Sequence, residues 1–203
     1  MKNARLRGIA AALILAGFAG TAAAHPGHGT DTLLQGLAHP LGLDHLLVML
    51  AVGLWSVLAL PAARAWQGPA TFMVALGVGA WAGAMSGAFG PGLPWMDSAM
   101  AASVLFLGVM LALARRPLPQ AVGLGLVAGV AVLHGLAHGA EAPASSGFAS
   151  YAAGFLVTTA ALHFGGVVAG LNLKRLYGHH LGRALNALGL VLGGTGVYLL
   201  SQI

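Results

Sequence analysis

Six apolar segments determine what this chain of 203 residues can fold into. Each is close to the roughly 20 residues that a helix needs to cross the hydrocarbon core of a bilayer. The segments cover residues 41–60, 68–88, 97–114, 119–139, 148–172 and 183–201. With 58% hydrophobic and only 6% charged residues, no soluble core could bury them all. They are too uniformly apolar for the strands of a membrane barrel, so the sequence predicts an all-α bundle of six transmembrane helices.

The N-terminus has the pattern of a secretory signal. Lys2, Arg5 and Arg7 precede an apolar stretch, and three alanines at 22–24 supply the small residues of a cleavage site. We therefore predict a signal peptide at 1–24 and a polytopic transmembrane domain at 25–203. The mature chain would begin outside the cytoplasm.

Two histidines follow the predicted cleavage site. His25 and His28, together with the new amino group, form a candidate chelator for a divalent metal. The alternative is an exposed tail that binds nothing.

The remaining basic residues predict the orientation of the chain. All six fall after the first, third or fifth apolar segment: Arg64, Arg115, Arg116, Lys174, Arg175 and Arg183. Cytoplasmic loops carry such an excess, so both mature ends are predicted to be periplasmic and the protein to lie in a bacterial inner membrane. These residues form no patch suited to a phosphate backbone, which excludes nucleic-acid binding. The chain has no cysteine, so histidine and carboxylate are its main metal donors.

Small residues recur every four positions within three segments. Such spacing allows helix backbones to approach closely. The glycines are Gly79, Gly83 and Gly87 in the second segment, Gly125 and Gly129 in the fourth, and Gly189 and Gly193 in the sixth.

The motif His39-Pro40-Leu41-Gly42-Leu43-Asp44-His45 stands at the start of the first segment. Ionisable side chains in a span are costly and usually bind something. On an ideal helix His39, Asp44 and His45 would diverge, but Pro40 and Gly42 predict a break that can gather them. Asp44 either ligates a cation directly or orients a ligating histidine.

A second motif closes the fourth segment. His134, His138 and Glu141 have spacings of four and three residues, which place them on one helix stripe. Imidazole with carboxylate suits borderline divalent metals such as Ni²⁺, Co²⁺ and Zn²⁺. The alternative is a pair of packing or proton-relay histidines.

Topology predicts that both motifs lie near the outer face, which favours one shared site. His163, near the middle of the fifth segment, is either a deeper metal station or a helix-packing hydrogen-bond donor. No phosphate-binding Walker pattern occurs in the chain, so transport driven directly by its own ATPase is not expected.

The two motifs and the short polytopic chain behind a signal sequence resemble the HupE/UreJ family of hydrogenase and urease accessory proteins. Its patterns H-P-x-G-x-D-H and H-G-x-A-H-G-x-E match at 39–45 and 134–141. The resemblance implies permeation of Ni²⁺, or of Co²⁺, to supply hydrogenase or urease, with nickel-enzyme maturation proteins as partners. The residues alone indicate a divalent-cation site in a lipid bilayer, with no tightly bound cofactor expected.

Two other functions use the same donors. An intramembrane hydrolase would hold Zn²⁺ with three histidines and use Asp44 or Glu141 as general base. A metal sensor or accessory subunit would bind without transport, but no segment is long enough for a soluble output domain.

Overall fold

The computed structural model describes residues 32–86, 95–116, 118–140 and 147–203, and every element within them is helical. The α-helices are α1 Leu33–Ala38, α2 Leu43–Ala59, α3 Gln67–Ser86, α4 Met96–Ala112, α5 Gln120–Ala140, α6 Phe148–Tyr177 and α7 Leu181–Leu200. Short 3₁₀ turns occupy His39–Leu41, Ala62–Arg64 and Gly178–His180. The predicted signal peptide lies outside the described residues.

Among the described residues, four helices are long and apolar enough to cross a membrane: Ala62–Met85, Gln120–Ala140, Phe148–Tyr177 and Gly182–Leu200. The pair Leu33–Leu41 and Leu43–Ala59 passes the same test together, although the two are bent by 72°. α4 is apolar but shorter, with 17 residues. The all-helical class is confirmed, and the described residues contain four to five candidate spans where six were predicted.

The outer surface of the bundle is apolar, as a lipid environment requires. Val74, Trp81 and Leu190 leave 68%, 68% and 73% of their surface exposed. Exposed apolar side chains in such number are stable in hydrocarbon and costly in water.

Two helical stretches extend beyond the predicted apolar segments. α1 precedes the first predicted segment, and its start is fixed by a capping box between Thr32 and Gln35. The fifth segment was predicted to end at 172 and the loop to begin at Leu173. α6 continues beyond that apolar segment to Tyr177, and Gly178, with a φ of +41°, ends the helix.

α3 and α5 pack backbone against backbone. Gly79 and Gly83 of α3 face Val132 and Leu136 of α5, where a Cβ atom would meet main-chain atoms. In return, a Cβ at Gly139 of α5 would overlap the main-chain carbonyl of Ala80. The prediction of close packing is confirmed for Gly79 and Gly83, whereas Gly87 lies outside the described residues.

Two further helix pairs pack backbone against backbone at glycines. α2 meets α6 where Gly53 lies against Gly166, and α4 meets α7 where Gly108 lies against Gly189 and Gly193. These contacts remove the room for any side chain between the backbones. The histidines on α2, α5 and α6 are thereby held by rigid neighbours.

The prediction is wrong for Gly125 and Gly129. Both are exposed on α5, and a Cβ at either would meet nothing within 4 Å. Four-residue spacing defines a stripe of a helix, but the position of the neighbouring helix decides which stripe is buried.

Candidate metal site

The seven-residue motif at 39–45 is folded as a broken helix entry. His39 and Pro40 lie in the 3₁₀ turn after α1, and Gly42, with φ −54° and ψ 143°, leaves helical geometry before α2 begins. The break predicted from Pro40 and Gly42 is confirmed. It brings the rings of His39 and His45 to a centroid distance of 5.1 Å, which a continuous helix could not achieve.

Three histidines from the two motifs converge at this break. Ligating atoms of His39, His45 and His138 all lie within 4.8 Å of one another, and the Nε2 atoms of His45 and His138 are 2.9 Å apart. In the metal-free protein one of these two nitrogens carries a hydrogen and donates it to the other.

The spacing of this histidine triad is close to that of ligands on one ion. Two nitrogens bound at about 2.1 Å are at most about 4.2 Å apart. Small side-chain rotations would therefore bring His39, His45 and His138 onto a shared ion without moving the helices.

Asp44 faces the other nitrogen of His45. Its Oδ1 atom lies 2.9 Å from His45 Nδ1, although the direction of the ring N–H makes the contact electrostatic rather than a well-aligned hydrogen bond. This is the geometry of a carboxylate that orients a ligand and directs its Nε2 atom toward the site. As an acid in the first turn of α2, Asp44 also interacts favourably with the helix dipole.

His134 lies beside the triad but has its own partner. Ser103 Oγ donates to the carbonyl of Met100 at 2.6 Å and lies 3.0 Å from His134 Nε2. Because the single hydroxyl hydrogen is used on Met100, His134 Nε2–H donates to Ser103, and its Nδ1 is unprotonated. That atom is buried and has no hydrogen-bond partner among the described residues. His134 and His138, which lie on one stripe of α5, are thus in two different environments.

His163 forms a third environment on α6. Its Nδ1–H donates to the carbonyl of Thr159 at 2.7 Å, which leaves Nε2 unprotonated, buried and without a hydrogen-bond partner in the described part of the chain. The backbone of His163 packs against Gly53, about 12 Å further along α2 than His45. His163 therefore lies deeper in the bundle than the triad.

Aromatic side chains surround the imidazoles. The Phe72 ring is 6.1 Å from His134 and 4.5 Å from His163, so it lies beside both imidazoles. Phe155 packs 4.8 Å from His138 and 5.7 Å from His39. The sequence did not single out these residues, because aromatic residues are ordinary in apolar helices. Ser103 is a polar residue within an apolar helix, and that signal could have identified it.

Three predicted site residues cannot be compared with this geometry. Glu141, His25 and His28 lie outside the described residues. The other predicted residues fall into three groups: Asp44 with the triad, then His134, then His163.

Comparison with known proteins agrees with the motifs. The family described as HupE / UreJ protein matches residues 13–199. Protein HupE of Rhizobium leguminosarum bv. viciae is 36% identical over 198 residues, which cover 96% of this chain and 94% of that protein. No solved structure matches the chain. The chain therefore belongs to the HupE/UreJ family, a family of multi-pass membrane proteins associated with accessory metal transport for hydrogenase and urease.

Proposed function

We propose that the protein is a permease that moves Ni²⁺ from the periplasm to the cytoplasm, without an ATPase of its own, for the maturation of hydrogenase or urease. The observation that carries this proposal is the convergence of His39, His45 and His138 within 4.8 Å, with two further buried imidazoles beneath them. A row of imidazoles suits a borderline metal ion such as nickel. Family membership supports the metal and the accessory role.

The proposal includes a topology. A signal peptide at 1–24 is removed, and residues 25–203 cross the inner membrane six times with both ends in the periplasm. The six basic residues of the mature chain support this orientation. The bent pair α1–α2 is then the first span and the shorter α4 the third. The triad lies at the periplasmic ends of α2 and α5.

Within that topology the ion is first bound by the triad, with Asp44 orienting His45. Glu141 supplies a further oxygen ligand, and His25 and His28 collect ions at the surface. The unprotonated Nδ1 of His134 and Nε2 of His163 are the next acceptors along the row. Because their other nitrogens are hydrogen-bonded to Ser103 and Thr159, these free atoms are already in the form that binds a cation.

The membrane potential is sufficient to drive this movement. A dication that crosses a negative-inside potential of about 100 mV gains roughly 4 to 5 kcal/mol. The ion must also be released, so its ligands have to exchange in sequence rather than bind it all at once. Division of the imidazoles into three groups is consistent with sequential exchange.

The function is tested with the full chain in liposomes that contain a nickel-sensitive dye. A negative-inside potential imposed with potassium and valinomycin is expected to speed Ni²⁺ entry by about 10-fold or more over the same proteoliposomes without a potential, because a dication responds steeply to voltage. Liposomes without protein are the control. Excess Co²⁺, Zn²⁺ and Mg²⁺ outside measure selectivity. Metal binding without any flux would contradict the permease and favour the zinc-dependent hydrolase or the sensor.

The role of Asp44 is tested by Asp44→Asn. The amide keeps the shape of the carboxylate but loses the charge that faces His45 Nδ1. Residues that orient a metal ligand typically contribute 10- to 100-fold to affinity, so we expect Ni²⁺ affinity to fall by about that factor in calorimetry. Asp97→Asn is the matched control, since Asp97 is the exposed acid in the first turn of α4. Equal losses in both variants would argue against an orienting role for Asp44.

A further inference from the structure

A cavity of about 350 Å³ opens where α4 ends and α7 begins. Its volume is within the range of about 300 to 1,000 Å³ that is usual for small-molecule sites. Two arginines and an asparagine supply its polar lining: it is formed by Ala112, Leu113, Arg115, Arg116, Gly182 and Asn186. The metal site uses none of these residues.

Within the part of the chain that the structure describes, no carboxylate faces the positive charge of this basic cavity. The four acidic residues stand at positions 31, 44, 97 and 141, so none is close in sequence to Arg115 and Arg116. Asp97 lies at the other end of α4, about 25 Å away along the helix, and Asp44 faces His45. Within the described ranges, neither arginine forms a salt bridge with a carboxylate. Among the described residues, no carboxylate is placed to act as a counter-ion for either arginine.

The walls of the cavity are built by close contacts between the two helices. In the orientation that satisfies both carbonyls, the amide NH₂ group of Asn186 donates to Ala112 at 2.9 Å and to Gly182 at 3.3 Å. A Cβ at Gly182 would lie 2.6 Å from Nη1 of Arg115, so this guanidinium rests directly on the α7 backbone. The glycine provides the room that Arg115 occupies.

We propose that this cavity binds the phosphodiester of an anionic phospholipid headgroup. A single guanidinium group can bind two phosphate oxygens at once, and two arginines line this cavity at the ends of apolar helices, where lipid headgroups lie. Leu113, 52% exposed at the edge of the cavity, offers an apolar surface to the acyl chains. In the orientation set by the basic residues the site faces the cytoplasmic leaflet, which holds anionic lipid.

The test is native mass spectrometry of the full chain in detergent, titrated with dioleoyl-phosphatidylglycerol or dioleoyl-phosphatidylcholine. We expect preferential binding of phosphatidylglycerol, and a loss of about 10- to 30-fold in its affinity for Arg115→Gln/Arg116→Gln. Gly182→Leu, which fills the cavity and keeps both charges, should also weaken binding. Thermal unfolding without added lipid checks that the variants are folded.

Lys174→Gln/Arg175→Gln is the matched control, because it removes two exposed charges from the end of α6 outside the cavity. Its affinity should change by less than about 3-fold. A comparable loss in this control, or full binding by Arg115→Gln/Arg116→Gln, would overturn the site. Displacement of the lipid by millimolar inorganic phosphate would overturn the lipid assignment and identify a site for free phosphate. None of these outcomes depends on nickel transport.

Discussion

A His45→Ala variant is expected to lose Ni²⁺ uptake by more than about 100-fold, the upper end of the effect of residues that only orient a ligand. His45 is the member of the triad with the most functional neighbours. Its ring lies 5.1 Å from that of His39, 5.0 Å from His138 and 5.4 Å from His134, and its Nδ1 faces Asp44. Removal of the His45 ring interrupts the row of imidazoles at the triad, where the ion is first bound.

Radioactive Ni²⁺ uptake into cells at matched protein levels measures this effect. His180→Ala is the control, because His180 is exposed and interacts with Arg183 at a distance from the triad. His45→Gln, which retains a polar side chain, shows whether a loss comes from missing imidazole or from a destabilised core. Normal uptake by His45→Ala and His45→Gln would exclude the proposed entry site.

The second large effect is expected for Gly139→Leu. Any side chain here collides with the carbonyl of Ala80, and a backbone cannot rotate away as a side chain can. Overpacking costs about 1 to 3 kcal/mol where side chains can adjust, so the cost should reach or exceed the top of that range. Separation of α3 from α5 would also displace His138, the residue next to Gly139. We expect lower thermal stability in detergent together with loss of Ni²⁺ binding.

Gly129→Leu provides the comparison on the same helix. It makes the same chemical change where nothing lies within 4 Å, and leucine has the higher helix propensity, by up to about 1 kcal/mol. Its melting temperature should be unchanged or slightly higher, with Ni²⁺ binding intact. A similar loss of stability in both variants would mean that glycine is needed in α5 for a reason other than contact with α3.

Local chemistry made much of the site predictable. The break at Pro40 and Gly42 follows from steric rules that act within a few residues, and the order of the apolar segments follows from the width of the bilayer. Together with the orientation given by the basic residues, they predict that the motifs at 39–45 and 134–141 lie at one membrane level and share a site.

Tertiary packing determined what the sequence left open. His134 and His138 share a helix stripe, yet Ser103 on another helix removes His134 from the triad. Asp44 had two open roles, and the position of its carboxylate relative to His45 is that of an orienting group. Phe72 lies beside His134 and His163 because three helices meet at one point. The periodicity of a single sequence does not predict such a meeting.

The pairing of the helices by their glycines also determines the order in which the protein can be assembled. α2 packs mainly on α6, α3 on α5 and α4 on α7, so no helix from α2 to α7 has a sequence neighbour as its main partner among the described residues. During synthesis α2 therefore lies in the bilayer without its main packing partner until four more helices, α3 to α6, have emerged from the ribosome. Each helix has to be apolar enough to persist alone in lipid, and helix association follows as a second stage. A chain halted before α6 would hold His45 and His138 in one membrane but lack the helix against which α2 is packed.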